Sequence, residues 1–357
     1  MPQRPSESIY FSEPHPGNRV AVLNLPDTEA YLERIGLPKQ LATEEPSLDL
    51  LSRILLAHHL AVPFSSVSIH CSPEDWRGPN KPIELRRGRG MEIAKGGKGN
   101  FERVVKRHGG GFCYSLNPLA SALLRGYGYR VSEVSGRVYL HRGKNPTEVG
   151  VWWSPATHIA LIVDWEGSAE RYLFDVGFGG GASPVPMPMR DGATTGSLSS
   201  SESFKLKREK LIAGDLPTLL DPPEGWLLYR RVVPAGYRIE DPAKADEGEG
   251  YWTPCFHLAG TTTPSDQLVA EFWSSNAPDA PWVNAFVASR LLENGGRRTL
   301  SHGIPAIEQG APQDGRKWAK LYSKDGIKGA PYDEEWVPFE TGPIRAVLER
   351  DFGFRFD

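Results

Sequence analysis

The run His108-Gly109-Gly110-Gly111-Phe112-Cys113-Tyr114-Ser115-Leu116-Asn117-Pro118 is the most informative stretch of this chain. Three glycines lead into a cysteine. Leu116, Leu119, Ala120, Leu123, Leu124 and Tyr127 then recur at helical spacing until Gly126-Tyr127-Gly128. Pro118 is tolerated only near the start of a helix, where a missing N–H costs nothing. Cys113 is therefore expected at, or just before, a helix N-terminus. Free N–H groups and the helix dipole favour a thiolate there. A neighbouring imidazole would favour it more, by taking the proton.

Downstream the apolar period changes from helical spacing to two. Val131, Val134 and Val138 read as a strand, and so does His158-Ile159-Ala160-Leu161-Ile162-Val163. Glu166-Gly167-Ser168-Ala169 is a turn, and Arg171 to Val176 returns as the second arm of a hairpin. With Trp165–Ser168 as the loop, His158 lies directly opposite Asp175. Opposed residues share a face and sit close together. The carboxylate would then hold the imidazole in one tautomer and stabilise its cation. This arithmetic fixes the register to within two residues, and periodicity alone does not bring Cys113 to the hairpin. His108, five residues before Cys113, is a competing base. Cys71 and Cys255 have no comparable setting and read as structural. No histidine shows metal-ligand spacing and neither CxxC nor HExxH occurs, so no metal is expected.

Two motifs are decoys. His108-Gly109-Gly110-Gly111 mimics an esterase oxyanion loop, but no GxSxG elbow exists. Gly177-Phe178-Gly179-Gly180-Gly181-Ala182 matches a dinucleotide fingerprint, but Pro184, Pro186 and Pro188 cannot start the helix it needs.

Elsewhere, residues 27–61 read as helical and 101–106 as a short amphipathic helix. Residues 77–100 are a basic, glycine-rich segment carrying Arg86, Arg87, Arg89, Lys95 and Lys98. Strands are expected near 203–211, 226–233, 251–258 and 281–300, with a final helix over Pro343–Asp351.

Lys plus Arg is 41 and Asp plus Glu is 44, a net charge of −3. That balance speaks against a nucleic-acid-binding protein, which normally carries a basic excess. Glycine (38) and proline (31) are abundant, while ten tryptophans exclude a disordered chain. The excess points to many turns in a β-rich protein. Three widely spaced cysteines argue for a reducing compartment over a disulfide framework. No signal peptide or transmembrane run is visible, so a cytoplasmic protein without a membrane partner is expected.

At these residues the chain resembles the arylamine N-acetyltransferase family. The family's Arg-Gly-Gly-aromatic-Cys signature stands here as Gly109 to Asn117. Its Gly-Arg-Val strand is Gly136-Arg137-Val138, its Thr-His is Thr157-His158, and its Asp-Val/Ala-Gly-Phe-Gly is Asp175 to Gly179. Tyr31 to Gly36 and Pro63-Phe64 match the family's opening, and Phe272–Asn276 and Arg297–Leu300 match more loosely. The resemblance implies an α+β architecture with a papain-like core. A helical bundle (1–129) would carry the cysteine, a β-barrel (130–240) the histidine and acid, and an α/β lid (241–357) would complete it. It implies Cys113 as nucleophile, His158 as base and Asp175 as orienting acid. It further implies that Phe112, Val138 and Phe178 line the acyl and arylamine pocket, and that coenzyme A approaches at Gly179. The implied reaction is ping-pong transfer of an acyl group (acetyl, malonyl or propionyl) from acetyl-CoA or another acyl-CoA to an arylamine or arylhydrazine.

Three residues depart from the family pattern. Ser65 stands where the family has Glu, Gly109 where it has Arg, and Ser115 where it has Glu or Gln. The first two changes remove an acid and a base together, as the loss of one ion pair would. Two other readings stay open on sequence. One is a transglutaminase-like or papain-like hydrolase with the same Cys-His-Asp order; the other is a non-catalytic relative that binds a small molecule.

Overall fold

The computed structural model describes residues 4–10, 20–85, 96–199, 201–211, 222–234, 246, 248–260, 264–278, 280–325 and 331–356. Most of the basic segment, Arg86 to Lys95, lies outside them; Lys98 belongs to a short helix, Gly96–Phe101.

Helix formation follows local signals. Helix α1 (Leu25–Arg34) is capped by Asn24, whose side chain accepts from the Asp27 N–H at 3.0 Å. Helix α2 (Leu48–Ala61) is capped the same way by Ser47, and Pro63 follows its end. Helix α3 (Cys113–Tyr127) ends at Gly128, whose φ of 99° only glycine adopts without strain. Pro118 sits deeper in α3 than the sequence suggests. Cys113 is the first helical residue, so Pro118 is the sixth and has no N–H to offer the residue one turn back.

The strands form two antiparallel sheets. The larger has eight, β2 (Arg130–Val138), β3 (His158–Asp164), β4 (Tyr172–Phe174), β5 (Met187–Pro188), β6 (Ala193–Gly196), β7 (Ser203–Lys210), β8 (Glu224–Val232) and β9 (Tyr251–Leu258), in the order β5-β4-β3-β2-β9-β8-β7-β6. Its edge strands β5 and β6 are consecutive in the chain, so the sheet curls almost into a closed barrel. The smaller sheet orders as β1-β10-β11-β12-β13, with β1 (Phe64–Ser65), β10 (Phe286–Leu291), β11 (Arg297–His302), β12 (Trp318–Lys324) and β13 (Pro331–Pro338). Helices over Pro264–Asn276 and Pro281–Asn284 precede it, and helix Thr341–Phe352 closes the chain. This is the α+β arrangement that the sequence suggests.

Three of the four buried apolar clusters among the described residues hold these layers, and the fourth lies at the site. The first joins α1, α2 and α3 to the barrel: Leu32, Leu51, Leu55 and Leu123 pack with Leu161, Val163 and Phe174, all essentially buried. Burial of each such side chain contributes about 1.5–3 kcal/mol. The second fills the barrel, and the third packs Val67 and Trp76 beneath the smaller sheet and final helix. The division expected near residue 240 cuts through the barrel, because β9 hydrogen-bonds between β2 and β8. The smaller sheet likewise takes its edge strand from Phe64–Ser65 in the first third of the chain. Backbone pairing thus crosses both expected divisions.

Candidate active site

Cys113 is the first residue of α3. Phe112 gives that helix no side-chain cap bond, so its positive end faces the thiol. The thiol is buried and its Sγ lies 3.7 Å from the Thr157 carbonyl oxygen, next to β3. A buried guanidinium holds the loop leading to it. Arg34, on α1, donates from Nε to the Val104 carbonyl (2.9 Å), from Nη1 to Ala61 (3.0 Å) and from Nη2 to His108 (3.1 Å). His108 is thereby drawn toward Arg34. Burial and that cation lower its pKa to about 4, and it does not line the Cys113 cavity.

Strand β3 starts at His158, and its Nε2 bonds the Asp175 Oδ2 at 2.7 Å. The register differs by two from the direct opposition expected. Leu161 pairs with Phe174 and Val163 with Tyr172, so Asp175 lies beyond the end of β4, level with Ala160. A shift of two keeps a side chain on its face, so His158 and Asp175 meet as diagonal neighbours. The reason is the loop: residues 165–171 all lie outside the strands, where the sequence suggests four.

The second Asp175 oxygen is fully engaged. Oδ1 accepts from the Asn117 side-chain amide and from the Gly177 N–H, both at 2.8 Å. Asn117, on α3 one turn beyond Cys113, also donates to the Ile159 carbonyl (2.6 Å) and accepts from the Val176 N–H (2.9 Å). This one buried amide ties the helix, β3 and the Asp175 loop together.

Burial opposes charge on His158, but the Asp175 carboxylate and the Cys113 sulfur outweigh it and push its pKa up to about 9. Burial raises Asp175; His158, Asn117 and the Gly177 N–H more than offset this and hold the carboxyl below its usual range. Cys113 and His158 line the same cavity. With Nε2 on Asp175, Nδ1 is the nitrogen left to face the thiol. At neutral pH the imidazole carries a proton, which suits a thiolate beside it. By contrast, burial raises Cys255 to about 12 within the barrel core.

A cavity of about 40 Å³ opens onto this group. Cys113, His158, Val138, Phe178, Phe64 and Trp282 are among its walls. Phe112 is not among these walls and packs in a buried cluster with Cys113, Ile69 and Ile159. Gly179 lines an adjacent cavity of about 20 Å³. Its φ is +77° and a β-carbon there would stand 2.9 Å from the Phe64 ring, which accounts for glycine at that position.

The model of the N-acetyltransferase family matches residues 47–314, three quarters of the chain. The chain belongs to the arylamine N-acetyltransferase family. An arylamine N-acetyltransferase of Mycolicibacterium smegmatis is 32% identical over 290 residues, covering 80% of this chain and 84% of that one. An N-malonyltransferase of Fusarium pseudograminearum is 24% identical over 283 residues, covering 74% and 73%. The solved structure of the Mycobacterium marinum arylamine N-acetyltransferase in complex with CoA superimposes with a TM-score of 0.59 at 22% identity, over 91% of this chain and 92% of that one.

An arylamine N-acetyltransferase is an acyltransferase, and two of this chain's departures from the family pattern share one place. Ser65 and Gly109 both line a larger cavity, about 410 Å³, on the other side of the glycine loop. The loop is tightly seated there. A β-carbon on Gly110 would stand 2.2 Å from the Pro63 carbonyl oxygen, and the Ser65 N–H donates to the Gly111 carbonyl at 2.7 Å. Ser115, the third departure, is buried with no partner for its hydroxyl among the described residues. Asn117 and Arg34 carry positioning roles that the residue pattern does not reveal, because each acts on backbone far along the chain.

Proposed function

We propose that this enzyme transfers an acyl group from an acyl-CoA to the nitrogen of an arylamine or arylhydrazine through an acyl-Cys113 intermediate. One observation carries the reading: a thiol at a helix N-terminus shares one cavity with an imidazole whose Nε2 is anchored on Asp175 at 2.7 Å. The Cys113 thiolate attacks the thioester carbonyl, and the bond to the CoA sulfur breaks as the His158 proton passes to it. The amine nitrogen then attacks the new thioester, and His158 receives its proton as the Cys113 sulfur leaves. A thioester intermediate is the right energy store, because an uncharged amine attacks it readily. Asp175 fixes the ring and its cation; Asn117 and Gly177 fix Asp175. Phe64, Phe178 and Trp282 give the cavity aromatic walls suited to an aryl acceptor.

We place this reaction in the cytoplasm, where three cysteines that form no disulfide stay reduced. Among the described residues no helix is long and apolar enough to cross a membrane, and no group of His, Cys, Asp and Glu could hold a metal ion. Incubation with acetyl-CoA and with malonyl-CoA, followed by intact mass measurement, tests the proposal. An acyl adduct on Cys113 that disappears on adding an arylhydrazine is the expected result. Absence of an adduct with either donor, or full transferase activity in Cys113→Ala, would overturn it.

A further inference from the structure

Arg142 lines the Cys113 cavity; part of the residue is exposed to solvent, while burial of its guanidinium lowers its pKa. Its guanidinium lies 5.1 Å from the Trp282 ring centre and 5.8 Å from that of Phe178. Both rings line the cavity. Trp282 packs edge-on against Phe64 with centres 4.7 Å apart, and Phe178 against His158 at 5.1 Å. The cation is thus held over aromatic faces that continue to the reacting pair.

What faces Arg142 is unusual in its charge. Among the described residues the cavity has no Asp or Glu in its walls, and Arg142 makes no hydrogen bond or ion pair. Aromatic faces engage the plane of a guanidinium and leave its edge N–H groups free. Those edge donors match a carboxylate in a two-pronged pair. A thioester that reacts at Cys113 must put its carbonyl carbon on Sγ, so the atoms beyond that carbon lie in the cavity. The body of CoA is far too large for about 40 Å³ and must lie outside.

We infer that Arg142 forms a carboxylate subsite, and that the preferred acyl donor is the CoA thioester of a short dicarboxylic acid, malonyl being the shortest. This rests on the acyl-transfer reading above and names the donor class for the same site. The chemistry balances without any further reactant. Cys113 Sγ bonds the malonyl carbonyl carbon as the CoA sulfur leaves with the His158 proton. The amine nitrogen then displaces Sγ and gives its proton to His158. The distal carboxylate stays ionised on Arg142 throughout.

The test compares kcat/KM for malonyl-CoA and acetyl-CoA with a hydrazine acceptor that carries no carboxylate. The wild type is expected to favour malonyl-CoA by tenfold or more. In Arg142→Gln the malonyl-to-acetyl ratio should fall about thirtyfold, the size of one lost charged hydrogen-bonded pair, and Arg142→Lys should restore part of it. Among the described residues Arg142 makes no hydrogen bond or ion pair that folding depends on, so both variants should fold, and their thermal midpoints check this. An unchanged ratio with both donors weakened together would overturn the inference in favour of a contact to the shared CoA body. An unchanged ratio with only aminobenzoate acceptors weakened would overturn it in favour of an acceptor carboxylate. A Cys113 adduct with acetyl-CoA but none with malonyl-CoA would defeat this inference alone. An adduct with neither would defeat the acyl-transfer reading beneath it.

Discussion

A β-carbon placed on Gly177 would stand 2.4 Å from the Cys113 Cα and 2.8 Å from the Asn117 side-chain nitrogen. The loop that carries Asp175 is therefore pressed backbone-to-backbone against the first turn of α3. The first neighbour is backbone, and the second is an amide held by hydrogen bonds to Ile159 and Asp175, so neither can swing away. Gly177→Ala should push the loop off the helix, lengthen the His158–Asp175 and Asn117–Asp175 bonds, and destabilise the fold by about 1–3 kcal/mol, the usual range for overpacking. The alkylation rate of Cys113 by iodoacetamide should fall along with the thermal midpoint. A variant with wild-type stability and thiol reactivity would contradict the close seating described here.

The His158–Asp175 pair predicts a pH dependence whose sign follows from its two shifts. His158 is raised from 6.5 to about 9, so its contribution to stability is complete below pH 6.5 and is lost as pH climbs through 9. Asp175 is held below its ordinary value of 3.8, so its contribution is present above that value and is lost on further acidification. The pair therefore stabilises most between about pH 4 and 6.5. A shift of this size corresponds to something on the order of 3 kcal/mol. In Asp175→Asn, burial of the imidazole meets less opposition and its pKa drops. The decline in thermal midpoint between pH 6.5 and 9 should flatten, and Cys113 alkylation at pH 7 should slow tenfold or more. An unchanged alkaline slope would show that the carboxylate does not set the charge of His158.

Why some of this was legible in the sequence and some not comes down to range. Cys113 at a helix N-terminus follows from three glycines, an apolar stripe and a closing glycine, all local signals. His158 and Asp175 follow from a hairpin, but the register does not, because residues 165–171 form a loop whose irregular backbone leaves no alternation to read. Asn117 looks like one more polar residue near a helix start until Asp175 is folded against it, 58 positions on. Arg34 reaches carbonyls 70 residues away. Strands β12 and β13 escaped because β12 alternates buried and half-exposed positions with lysines among them, a weak apolar signal at an outer sheet. Arg142 is a surface arginine by pattern; only the folded cavity gives it a place.

The large cavity behind the glycine loop makes the missing acid and base testable. Ser65 and Gly109 both face it, and Gly109 has a backbone that a side chain can adopt, although its β-carbon would press the Arg103 backbone at 3.0 Å. Ser65→Glu alone should bring an acid to a partly buried wall and cost stability. Gly109→Arg alone should cost more, through the contact with Arg103. If the two form one lost ion pair, the double variant should recover at least 1 kcal/mol relative to the sum of the singles, as a double-mutant cycle on chemical denaturation would read. Coupling near zero would mean that the two departures are independent.

Glu202 is buried between two arginines, Arg230 and Arg297, the latter 3.0 Å from it. Both guanidiniums also donate to the Gly180 carbonyl, each at 3.1 Å. They thereby pin the loop that follows Asp175 and carries Phe178 into the cavity. Burial pulls Arg230 down to about 9, helped by its neighbour Arg297, and Arg297 itself to about 10. Each still holds its proton at neutral pH, so the cluster depends on the one carboxylate. Glu202→Gln keeps the shape and removes the charge, leaving two like charges facing each other out of water. Breaking a buried pair in this way costs about 3–5 kcal/mol. The loss should show as a lower denaturation midpoint and as a weakened hold on the 177–181 loop, read as faster proteolysis there. Removing one cation as well, in Glu202→Gln with Arg297→Met, relieves the repulsion. That double variant should therefore lose less than the sum of the two singles. Strict additivity would show that Glu202 does not hold the two arginines as a unit.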